Sequence, residues 1–245
     1  MNILRVTRVY SFIVLAFAFC FASPAIAGDA AERAILGFSP DGRYFAFEQY
    51  GVQDGSGFPY SDIFVIDTST DQWVEDSPFR VMLKDERSQL KWARKEAITK
   101  AGNLLKKLVI AQSGRLLASN PSAEFSADPH HVVVNTSRIL AGQPERWTFT
   151  LEEKILGNAQ CASYTSSPIK GYRLNVQRTG GAVIGLHEDA SIPKSRGCPL
   201  RYAIHDIITH EPNSGARIFA ILIGVYAHGF EGADRRFLAV TIHLP

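Results

Sequence analysis

Cysteine and methionine are scarce in this chain, and the motifs that usually announce chemistry are missing. Among 245 residues there are three cysteines and two methionines, with no C-x-x-C pair of the kind that builds zinc or redox sites. No H-E-x-x-H spacing occurs, which excludes the usual metalloprotease arrangement. There is no G-x-S-x-G nucleophile elbow. Gly55-Ser56-Gly57 lacks the Lys-Ser/Thr that would complete a phosphate-binding loop. Low-complexity tracts are absent too, so the chain is not read as disordered.

What is present first is a leader. Arg5 and Arg8 form a positive start, residues 9–21 are mostly apolar, and Ala25-Ile26-Ala27 gives the small-x-small pattern read by a signal peptidase. Its 13 residues fall short of a bilayer span, which needs about 20. Cleavage after Ala27 is expected, leaving 218 residues from Gly28 in the periplasm or outside the cell, with no transmembrane anchor. That length supports a real core. Without Arg5 and Arg8 the basic and acidic residues balance at 24 each, so charge gives no sign of nucleic-acid binding. Cys20 leaves with the leader. Cys161 and Cys198 then form an even pair in an oxidising compartment and read as one disulfide, with free thiols or a metal site as the alternatives.

Alternation and turn signals dominate the remainder. Phe38-Ser39-Pro40-Asp41-Gly42 reads as a turn, residues 43–48 and 63–66 as strands joined by a long glycine-containing loop, and residues 67–71 as a turn leading into Trp73. A blade-like hairpin over 28–80 is therefore expected. Leu90, Ala93, Ala97, Ile98, Ala101, Leu104, Leu105, Leu108 and Val109 recur at helical spacing without proline. They predict one long amphipathic helix over about residues 84–113, with Gly114 as its stop. Residues 84–115 hold nine basic and three acidic side chains, which suits a solvated face, a contact with the chain's own acidic body, or a surface for an anionic membrane or acidic partner. Residues 132–134, 147–151, 172–176, 182–186, 200–209, 218–226 and 237–243 read as strands between Gly- and Pro-containing turns. The expected fold is mainly β, an antiparallel sandwich or propeller-like set of strands with that helix, in a single secreted domain. Its parts are the hairpin over 28–80, the helix over 84–115 and an antiparallel β region over 125–245.

The stretch Phe38-Ser39-Pro40-Asp41-Gly42-Arg43-Tyr44-Phe45-Ala46-Phe47, followed by Asp62-Ile63-Phe64-Val65-Ile66-Asp67, resembles the PD40 repeat of TolB-like β-propellers, with a degenerate echo at Phe125-Ser126-Ala127-Asp128-Pro129. Over nearly the whole length the chain is also similar to the DUF2259 family of predicted secreted bacterial proteins. Residues 37–47, Leu186-His187-Glu188-Asp189, Ile192-Pro193-Lys194-Ser195-Arg196-Gly197-Cys198-Pro199 and residues 229–240 carry that likeness. It implies secretion and a shared fold and brings no catalytic residues.

Two groups of side chains stand out as sites. The turn from Gly229 to Phe237 joins with Phe58-Pro59-Tyr60 in an expected aromatic-rimmed binding patch of Phe58, Tyr60, Phe230, Glu231, Asp234, Arg235 and Arg236. An Arg–carboxylate clasp that holds the turn is the alternative. His187, Glu188 and Asp189, just after a strand, are the alternative acid–base group, with Asp128, His130 and His131 behind them. His205 and His210, an odd number apart on one strand, are expected on opposite faces and so as poor co-ligands. No metal and no cofactor is implied. The reading is an exported, non-enzymatic binding or interaction module for an unknown periplasmic protein or envelope component, with no nucleic acid. A secreted hydrolase or metal-binding envelope protein using a His/Asp/Glu cluster is the alternative.

Overall fold

The computed structural model describes residues 28–121, 126–140, 142–157, 160–230 and 232–244. The expected leader, its cleavage point and Phe125 of the repeat echo lie outside them. Strands β1 (Glu32–Phe38), β2 (Tyr44–Val52), β3 (Pro59–Asp67), β4 (Gln72–Trp73) and β5 (Phe79–Met82) form a first sheet. Helix α1 (Leu90–Lys107) follows, then β6 (Arg115–Ser119), β7 (His131–Leu140), β8 (Gln143–Ile155), β9 (Lys170–Arg178) and β10 (Val183–Glu188). The chain ends in three long strands, β11 (Pro199–His210), β12 (Arg217–His228) and β13 (Ala233–Leu244). A second sheet runs β10-β9-β8-β7 and a central one β13-β12-β11-β6, all pairings being antiparallel.

The layers follow from the apolar pattern. In β12, Phe219, Ile221, Ile223 and Val225 pack toward the second sheet, while Ile218, Ala220 and Leu222 pack toward the first. A sheet covered on both faces needs such an unbroken apolar run. The first sheet's other face carries α1. There Ala93, Ala97 and Ala101, one turn apart, meet Ala46, Ile63, Val65 and Val81, and their small side chains let helix and sheet approach closely. One ion pair pins the contact. Arg94 donates to both oxygens of buried Glu48 at 2.9 and 2.7 Å, and Ser61 adds a third bond at 2.9 Å.

The mainly β fold holds, with one α-helix among the described residues, as layered sheets rather than repeated blades. The 38–67 hairpin exists as β2–β3, but it sits inside a five-stranded sheet with β1 and β5, both missed by its pattern. The helix is shorter than the expected 84–113. It starts after Gln89 and closes at Leu108, where Val109 turns left-handed at φ 52°. The amides of Val109 and Ile110 then bond back to the carbonyls of Lys106 and Leu105, a Schellman closure that makes Gly114 unnecessary as a stop. Ile98 and Val109, expected on the apolar face, are exposed.

A second correction concerns the histidines. In β11, Ile204 pairs with Ile223 and Asp206 with the adjoining Leu222, so His205 is an extra, bulged residue. The bulge reverses the alternation beyond it. His205 packs edge-on against Phe237 at 4.9 Å and His210 stacks on Phe38 at 5.2 Å, both rings of the core facing the first sheet.

Candidate functional site

Edge strands of all three sheets converge around one cleft of about 660 Å3, within the usual small-molecule range of about 300–1,000 Å3. β3, β4 and β5 supply Asp62, Phe64, Trp73 and Arg80, and the turn before β4 supplies Asp71. β9 and β10 supply Tyr172 and His187, while the 193–196 loop and β13 add Arg196 and Arg236. The Cys161–Cys198 disulfide, with sulfurs 2.07 Å apart, ties that loop down two residues beyond Arg196.

On the β10 side, Asp189 is the hub. Its side chain is 3% exposed, and the carboxylate takes His187 Nε2 at 2.8 Å, Arg196 Nη1 at 2.6 Å and the Tyr172 amide at 3.0 Å. Burial pushes this carboxyl up, but the bonds from His187, Tyr172 and Arg196 outweigh it and hold it below the ordinary value. The His187 ring stacks on Tyr172 with centroids 4.5 Å apart. Tyr172 is fully buried and its hydroxyl has no hydrogen-bond partner among the described residues.

On the first-sheet side, Gln49 is buried and held at both ends. Its Nε2 donates to Asp62 Oδ2 at 3.0 Å and its Oε1 accepts the Phe237 amide at 2.8 Å. Asp71 Oδ1 accepts from the amide and hydroxyl of Thr241 at 2.7 and 2.8 Å. Burial raises both carboxyls, against the opposing pull of Gln49, Arg80 and Arg236 on Asp62 and of Thr241 and His187 on Asp71. Trp73 is 50% exposed, backed by Phe64 at 5.7 Å, and the Arg80 guanidinium lies 5.9 Å from its ring centre.

The sequence-derived patch is divided. Tyr60, Asp234, Arg235 and Arg236 gather around the start of the described chain. Tyr60 is 3% exposed and donates to Asp29 at 2.8 Å, so it belongs to the core rather than to a rim. Asp234 accepts the Asp29 amide, Arg235 donates to the Ala31 carbonyl, and Arg236 binds both the carbonyl and the carboxylate of Asp29. This is the Arg–carboxylate clasp, and only Arg236 also lines the cleft. Phe58 is half-buried at the end of the β2–β3 loop, Phe230 is 87% exposed just after β12, and Glu231 lies outside the described residues. Glu188 parts company with its neighbours. It pairs on the outer surface with Arg173 and Lys154, which bring its carboxyl down to about 2. His130 and His131 do not line the cleft; His130 bonds the Tyr202 carbonyl at 2.8 Å. Sequence reasoning misses Asp62, Asp71, Trp73, Arg80 and Tyr172 as site residues, because only the convergence of three sheets gathers them; the one local signal is a tryptophan just after a turn.

Together these features define a layered antiparallel β protein with a polar, aromatic-walled cleft at the joint edge of its sheets. Residues 46–243 match the family model described as predicted secreted protein (DUF2259). The chain belongs to that family. No curated protein matches it. No helix among the described residues is long and apolar enough to cross a membrane, and no three of their His, Cys, Asp or Glu side chains gather in a metal-binding group.

Proposed function

We propose that the protein is a non-enzymatic binding module of the exported compartment, and that its ligand occupies the cleft. The observation that carries this is the pairing of a half-exposed Trp73 with polar groups that have spare hydrogen-bonding capacity in a concave site. The disulfide and the family's predicted secretion support the compartment. The ligand is an envelope component or other exported molecule small enough for the cleft.

One observation favours a second reading. His187 is oriented by a buried carboxylate and faces the same cleft, an arrangement suited to proton transfer. Thermal unfolding with panels of small molecules, alongside a broad hydrolase screen, separates the two. Binding predicts a rise in the unfolding midpoint with at least one compound, lost in Trp73→Ala, and no turnover. Turnover abolished by His187→Ala replaces the binding module with a hydrolase.

A further inference from the structure

Resting on the cleft as the ligand site, we infer that it takes a short, uncharged saccharide. A sugar ring offers two surfaces at once: a flat face of C–H groups and a rim of hydroxyls that both donate and accept. The cleft answers both. Trp73, half exposed and braced by Phe64, is a platform for the C–H face. Around it stand groups with unused hydrogen-bonding capacity of both kinds. The Tyr172 hydroxyl is buried without a partner among the described residues, a state that native proteins seldom leave unanswered. Asp62 Oδ1 and Asp71 Oδ2 accept no hydrogen bond among the described residues, while their sister oxygens are engaged by Gln49 and Thr241. Those bonds hold the two acceptors in place before any ligand arrives, which reduces the ordering that binding must impose.

Charge argues against an ionic ligand. Arg196 and Arg236 are each bonded to a carboxylate of their own, Asp189 and Asp29. That leaves Arg80, which forms no salt bridge among the described residues and is the cross-strand neighbour of Asp62 in the lining that Asp71 shares. A wall with acid and base interspersed offers neither an anion nor a cation a field of one sign.

Isothermal titration calorimetry of the mature chain tests this with maltotriose, cellotriose and tri-N-acetylchitotriose, and with citrate and triglycine as ionic and peptide probes. At least one trisaccharide is expected to bind saturably. Trp73→Ala and Tyr172→Phe, the latter removing a single oxygen, should each weaken it by about tenfold or more while unfolding as the wild type does. Equal affinity in both variants would put the sugar elsewhere and overturn the inference. Citrate or triglycine binding that depends on Trp73, with no trisaccharide bound, overturns the saccharide class and leaves the binding module standing. If none of the five binds, the saccharide inference falls; the module falls with it only if the wider panel also shifts no midpoint.

Discussion

Val109 holds a backbone conformation that its own side chain disfavours. Its φ of 52° lies in the left-handed region, where a β-carbon crowds the following carbonyl, and a branched one does so most. It persists because two carbonyls at the end of α1 are satisfied by the turn it makes. The side chain is 55% exposed, so little apolar burial compensates. Val109→Gly is therefore expected to raise stability by about 1 kcal/mol, read from the urea midpoint. A lower midpoint would mean that the exposed valine contributes packing the geometry does not reveal. Asp189 illustrates the other residue-scale lesson. Its neighbours in sequence mark it as a possible acid, yet its three hydrogen bonds come from three different parts of the fold.

At the scale of elements, α1 is held by alanines and one ion pair, with opposite consequences for substitution. Glu48 is nearly inaccessible, and Arg94 is its charged partner. Arg94→Ala leaves that carboxylate buried with only the Ser61 hydroxyl, and is expected to lower stability by about 3 kcal/mol in urea unfolding. The double replacement Glu48→Leu with Arg94→Met should lie closer to the wild type, since no unpaired charge remains; a double variant as weak as the single would refute this account. Much at this scale was legible beforehand. The long central strands showed themselves by apolar runs and β8 by strict alternation, because sheet burial leaves a period-two trace. β1 was not legible, since its bulge between Ile35 and Gly37 breaks the alternation, and β4 has only two residues. The extent of α1 was overestimated because helical spacing continues through Val109, whereas the closure depends on backbone geometry that spacing does not encode.

The molecule as a whole is organised about a sheet that belongs to two cores at once. Neither outer sheet can leave without exposing β12. A buried knot of charge joins the layers: Arg33 of β1 binds both oxygens of Asp206 in β11 at 2.7 and 2.8 Å, and Ser119 of β6 adds a bond at 2.7 Å. Burial pushes the Asp206 carboxyl up, but the bonds from Arg33 and Ser119 outweigh it and hold it far below its ordinary value of 3.8. Its contribution is thus complete above that value and lost as pH falls through the folded one, because the unfolded chain binds the proton first. In urea titrations, Asp206→Asn should be less stable than wild type at neutrality. It should also lose stability less steeply in acid, by up to about 1.4 kcal/mol per pH unit. Parallel acid limbs would place the titrating group elsewhere.

The bulge at His205 reaches further than the orientation of one ring. Residues on either side of it already pair with consecutive positions of β12, so joining Ile204 directly to Asp206 would leave the ladder with its partner unbroken. What would go is the imidazole and one hydrogen bond, from the Asn120 amide to the His205 carbonyl. Loss of one residue inside a doubly buried strand ordinarily turns every side chain beyond it to the wrong face. Here it restores regular alternation, and β11 has a built-in place where its length can change while both cores keep their residues.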